Sequence, residues 1–191
     1  MDPLYQLSQR LQTPDQVQNY LHSLQYNKER TLRSALGVVQ HQASHCLEGV
    51  FVAASILEYH GYEPYVLSLE SQDLIDHCLF VYQKEGLWGA VGKSQDHGLA
   101  GRAPIYRSLR GLAWSYFDPY IDTKARITAW QIAHLDEVAC DWRRSPRNVW
   151  RLEKHLLEIK HYPLKSSEKR YQKYLRRYIA KGDIPMQEHW R

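Results

Sequence analysis

Apolar positions along the chain change spacing twice, dividing it into helical, strand-like and again helical stretches. Val17, Tyr20, Leu21 and Leu24 recur at helical intervals. They follow Thr13-Pro14-Asp15-Gln16, which offers a threonine N-cap, a proline at the first helical position and a glutamine to close a capping box. A second helical stretch is predicted over 32–40. Ser44-His45-Cys46-Leu47-Glu48 then opens a segment apolar nearly all round, with Leu47, Val50, Phe51, Ala54 and Leu57 at intervals of three and four. Such a helix belongs in the domain centre, with Gly61 as its C-terminal cap.

Beyond Gly61 the period shortens. Tyr65, Val66, Leu67 and Leu69 predict a strand, 77–82 a second and 87–91 a third, the last two joined by a turn through Lys84-Glu85-Gly86. The glycine-rich stretch 92–104 reads as a loop. Ile105, Leu109, Leu112, Ala113 and Tyr116 predict an amphipathic helix ending near Asp118-Pro119, and 127–135 an edge strand. Two helices follow, one capped by Ser145-Pro146 and running through Leu152 and Leu157, one starting at Ser167 and running through Tyr178. The expectation is an α+β fold: a buried helix on an antiparallel meander, with extra helices at both ends. Residues 1–140 form the main domain, and 141–191 a basic helical extension packed on it.

The 191 residues are 43% hydrophobic and 24% charged, enough for a real core and unlike a disordered chain. The longest apolar run is too short to span a bilayer, and Met1-Asp2-Pro3-Leu4-Tyr5-Gln6 does not resemble a secretory signal. Three cysteines leave an odd thiol and argue for a reducing compartment. A soluble, cytoplasmic protein with no membrane partner is therefore expected. The net charge of +4 is unevenly spread: residues 141–191 hold 14 basic and 6 acidic side chains, leaving 11 and 15 for the rest. A basic end of this kind either meets an acidic partner or packs on the acidic body.

Cys46 is the chemically informative position. It falls in the first turn of the buried helix, where unpaired N–H groups and the helix dipole favour a thiolate and receive an oxyanion. Without a partner it is simply a small buried apolar residue. His77, at the head of the second strand, supplies a possible base.

The order of parts around this pair resembles the core of the transglutaminase-like superfamily. In that family a cysteine heads the helix and a glycine closes it; a G-x-P turn feeds the first strand, a histidine starts the next, and an aromatic precedes the third catalytic position. Cys46, Gly61, Pro64, His77 and Trp88 occupy those places in order. The match covers residues 40–95. It implies a papain-related fold and a cysteine enzyme acting on an amide or acyl group of a peptide or protein, as protease, amidase or transglutaminase, without a cofactor. It also implies an oxyanion-hole glutamine, at Gln40 with Gln42 competing, and substrate contacts from Trp88, Ser94 and Arg102.

One departure stands out. Relatives carry an aspartate four residues after the tryptophan, orienting the histidine; here that residue is Gly92. Asp96 is the nearest carboxylate and the candidate third catalytic residue, with a hydroxyl such as Ser94 or a carbonyl as alternatives. If none serves, the protein is an inactive binding module of the same fold. Three other chemistries have residues that suggest them. His41, His45 and the cysteines suggest zinc, but their spacing matches no common site, so no metal is expected. Gly92-Lys93-Ser94 resembles the end of a phosphate-binding loop whose first glycine would fall at Leu87, and that reading fails. Lys169, Arg170, Lys173, Arg176 and Arg177 lie opposite a tyrosine stripe, an arrangement open to nucleic-acid binding or to ordinary amphipathic packing.

Overall fold

In the computed structural model, which describes residues 2–73, 76–96, 98–121 and 125–181, helices and sheet combine into an α+β fold. Helices α1 (Pro3–Arg10), α2 (Pro14–Ser23) and α3 (Ala35–His41) precede α4 (Cys46–Leu57). Strands β1 (Gln25–Tyr26) and β2 (Ala43–Ser44) form a small parallel ribbon between them. The main sheet is antiparallel, in the order β6-β5-β4-β3-β7-β8: β3 (Tyr65–Ser71), β4 (His77–Lys84), β5 (Leu87–Val91), β6 (Arg102–Tyr106), β7 (Ile127–His134) and β8 (Tyr162–Pro163). Helices α5 (Leu109–Trp114), α6 (Trp150–Glu158) and α7 (Glu168–Lys181) complete the described chain. No described helix is long and apolar enough to cross a membrane.

Local chemistry sets the element ends. Thr13 and Gln16 make the reciprocal capping box at α2, with Pro14 at its start. All of α4 except Cys46 is buried, as its unbroken apolar sequence requires. A short 3-10 turn follows it, and Gly61 closes that turn at φ 80°, a left-handed conformation that costs glycine little.

The sheet is covered on both faces, and strand alternation sorts its side chains. Val66, Phe80, Tyr82 and Val91 join α4, Trp142, Leu152 and Leu156 in one apolar cluster. Leu67, Leu69, Leu79, Val81 and Ala90 join α5, Tyr116, Phe117 and Leu164 in the other. Residues 141–164 are thus built into both layers. Helix α7 lays Tyr171, Tyr174 and Leu175 against the second cluster, and Arg170 sits over the rings of Trp114, Phe117 and Tyr174. Its tyrosine stripe is a packing face. Residues 182–191, the remainder of the basic extension, lie outside the described residues.

Several expected boundaries are corrected. The helix expected from Ile105 begins only at Leu109, because Ser108 caps it by accepting the Gly111 N–H. Residues 102–106, expected as loop and helix start, form β6 instead, paired at Trp88↔Tyr106 and Ala90↔Arg102 and leaving Ile105 66% exposed. Strand β7 lies between β3 and the two-residue β8 rather than at the edge. Helix α3 starts after its cap Ser34, later than the apolar pattern suggests. Helix α1, capped by Asp2 with Pro3 behind it, was not anticipated.

Candidate functional site

The N-terminus of α4 meets the starting end of β4, and a cavity of about 1120 Å³ opens there. Its walls come from both layers: Leu47 and Leu156 from one cluster, Leu99 and Tyr120 from the other. Cys46, His77, Cys78, Ser68, Ser94 and Asp96 all line it. Strand register places Ser68 opposite Cys78 and Leu69 opposite His77, so these groups cluster at one end of the sheet.

Cys46 is half-buried at the cavity wall. Its sulfur lies 3.9 Å from the carbonyl oxygen of Asp76, and Cys78, His45 and His77 line the same cavity around it. The contact with Cys78 leads in holding the Cys46 thiol well below its usual range; burial opposes it, and His45 and His77 add to it. The Cys78 thiol moves the other way, raised by its contact with Cys46 and by burial. This is the environment in which one thiol of a pair becomes a thiolate.

The two histidines come from different elements. His77 is nearly buried. Strand alternation puts it on the α5 face, where its ring packs 6.1 Å from that of Tyr116. Its Nε2 is bonded, at 2.7 Å, to the carbonyl oxygen of Leu99. A carbonyl accepts only, so Nε2 carries a proton and donates it, leaving Nδ1 as the other face of the ring.

His45 precedes α4. Its Nε2 is 2.9 Å from the Thr31 carbonyl oxygen and 3.7 Å from Oε1 of Glu48. Burial pulls the His45 imidazolium down, but the hydrogen bond and charge of Cys46, with Glu48 and Thr31, push it up to about 9.

Glu48 is completely buried. Its Oε1 accepts from Thr31 Oγ1 at 3.0 Å and from the Arg33 N–H at 2.8 Å. Its Oε2 accepts from Asn27 Nδ2 at 2.9 Å and from the His45 N–H at 3.2 Å. The carboxylate therefore joins the 27–33 segment to the first turn of α4. Glu48 is not singled out by the sequence, and His45 only as a candidate zinc ligand. The signal was a carboxylate three residues after the residue preceding α4, the spacing of a capping box without its usual Ser or Thr.

The remaining sequence candidates divide. Ser94 and Asp96 reach the cavity, where the Asp96 N–H donates to Ser94 Oγ at 3.0 Å. Gln40 does not reach it: the side chain is exposed and lines a separate cleft with His41 and Arg144. Gln42, at φ 52°, ends α3 and donates back to the Val39 carbonyl. Trp88 faces Tyr106 at the far end of β5, packed on the second cluster. Arg102 is engaged by carbonyls of the 98–101 loop and stacks on Tyr116.

Gly92, where the resemblance implies an aspartate, has a spatial explanation. A Cβ at this position would stand 2.4 Å from Leu79 Cδ2, so a buried leucine fills the space a side chain would need. Leu79 shares the sheet face of His77, and the imidazole finds its acceptor in the Leu99 backbone instead.

Among the described residues no group of three or more His, Cys, Asp or Glu is arranged to hold a metal ion. Compared with known proteins, the chain matches no family model and no curated sequence.

Proposed function

We propose that the protein is a cysteine-nucleophile enzyme of transglutaminase-like type, acting on an amide or related acyl group of a peptide or protein. The observation that carries this reading is the sulfur of Cys46, at the first turn of a buried helix and on the wall of a large cavity that it shares with His77, an imidazole whose Nε2 is anchored and which helps hold the thiol down. In the proposed reaction the thiol proton passes to Nδ1 of His77 and Sγ attacks the carbonyl carbon. First-turn N–H groups of α4, which have no intrahelical partners, receive the oxyanion. His77 then protonates the leaving amine as the tetrahedral adduct collapses to a thioester. Water as second acceptor gives a protease or amidase; a primary amine gives a transglutaminase.

The test is turnover of a complex peptide mixture with a primary amine present, read by mass spectrometry for cleaved, deamidated and amine-conjugated products. The proposal expects at least one such product, absent with Cys46→Ala. If wild type and Cys46→Ala give identical product lists, the enzyme reading fails and a binding module with this cavity replaces it.

A further inference from the structure

The acceptor that holds His77 is a main-chain carbonyl, and a carbonyl is only as well aimed as its peptide plane. The segment 98–101 has four successive carbonyls, and three of them are taken by donors other than His77. Arg102 Nη2 donates to the Gly98 oxygen at 2.6 Å, and Nη1 donates to those of Ala100 and Gly101 at 3.1 and 3.0 Å. The Tyr116 hydroxyl donates to the Ala100 oxygen at 2.9 Å. The remaining oxygen, that of Leu99, meets His77 Nε2 at 2.7 Å. Arg102 is itself fixed, its Cζ 4.0 Å from the Tyr116 ring centre and its Nε 3.3 Å from Ser115 Oγ. Tyr116 is fully buried and packs on the His77 ring. A planar guanidinium with five fixed donors suits this work, and an ammonium does not reproduce its geometry.

We infer that Arg102 and Tyr116 are positioning residues, locking the 98–101 segment so that the Leu99 carbonyl holds the His77 imidazole toward Cys46. The pair does by backbone clamping what an orienting side chain does elsewhere, acting on the reacting sulfur only through Leu99 and His77. The inference rests on the Cys46–His77 pairing of the proposed function.

The experiment compares wild type, Tyr116→Phe, Arg102→Lys and the control Val81→Ala, a cavity variant in the same apolar layer whose side chain has no polar group. Cys46 alkylation by iodoacetamide is followed from pH 4 to 10 by peptide mass spectrometry, with thermal melts to establish folding. His77 Nε2–H is observed by nitrogen-15 NMR. Tyr116→Phe keeps the ring and deletes one hydroxyl, so it provides a folded variant should Arg102→Lys be unstable. The clamp predicts that both variants move the alkylation inflection up by about half a pH unit or more, roughly threefold in thiolate fraction at a given pH. It also predicts a weakened Nε2–H signal, while Val81→Ala keeps the wild-type profile. Unchanged profiles in both variants, or an equal displacement in Val81→Ala, would overturn it. If wild-type Cys46 itself titrates like a free thiol, the proposed function fails instead, which separates the two outcomes.

Discussion

Replacing Glu48 by glutamine keeps the shape of the side chain and exchanges one acceptor oxygen for an NH2 group. In the structure each carboxylate oxygen receives two donors: Thr31 Oγ1 and Arg33 N–H on one, Asn27 Nδ2 and His45 N–H on the other. With the NH2 on the Oε1 side the Thr31 hydroxyl can turn to accept from it, but the Arg33 N–H is left without an acceptor; on the Oε2 side both Asn27 Nδ2 and the His45 N–H are. A buried group so orphaned costs about 1–3 kcal/mol, and the amide takes the orientation that orphans one, so Glu48→Gln should lose roughly 1–3 kcal/mol. Against a typical total of about 5–15 kcal/mol this is a large share. Urea unfolding at pH 7, followed by tryptophan fluorescence, measures it. Glu29→Gln is the contrast, because the Glu29 side chain is 71% exposed in its ion pair with Arg33 and should change stability little. The same substitution should slow Cys46 alkylation in the folded protein, since Glu48 and Cys46 both support the His45 imidazolium. A loss below about 1 kcal/mol for Glu48→Gln would refute the four-donor account.

Other outcomes follow from the same contacts. Burial, with the Glu70 and Cys46 charges adding, raises the Asp76 carboxyl to about 6 from 3.8. A raised carboxyl favours folding below its unfolded value and loses that contribution as pH rises through the folded one. Asp76→Asn should therefore stabilise the protein at pH 7–8, by at most about 3 kcal/mol, with no gain near pH 3.5; thermal melts at the two pH values decide it. Gly92→Asp, which supplies the aspartate that the resemblance implies, should instead cost about 1–3 kcal/mol in urea because Leu79 occupies the site, and should not speed Cys46 alkylation. His45→Gln removes one of the groups holding the Cys46 thiol down and should slow its alkylation at pH 7, measured by peptide mapping.

What was legible in the sequence was what depends on local periodicity. The all-round apolar run beginning at Leu47 had to be buried and alternation after Tyr65 had to be strands, whereas Gly61 closes the 3-10 turn after the helix rather than the helix itself, which ends at Leu57. Cys46 and His77 are brought together because both sit at ends of such elements. The rest depends on space rather than on pattern. Any residue offers a carbonyl, so nothing in the letters 98–101 marks Leu99 as the partner of His77. Arg102 read as a substrate contact because its carbonyl partners are invisible in a sequence. Ile105 suggested a buried helix face, whereas pairing with β5 makes its segment a strand and turns it outward. The Gly92 departure was plain in one dimension, but its cause, the Leu79 side chain, appears only when β4 lies beside β5.

The central claim is an activated thiol held by a neighbouring imidazole, and the pH dependence of Cys46 alkylation in wild type and His77→Ala tests it most directly. The account predicts a wild-type inflection well below the ordinary thiol value of about 8.5, returning toward that value when the imidazole is removed. Identical profiles for the two proteins, both rising only near the free-thiol value, would contradict it.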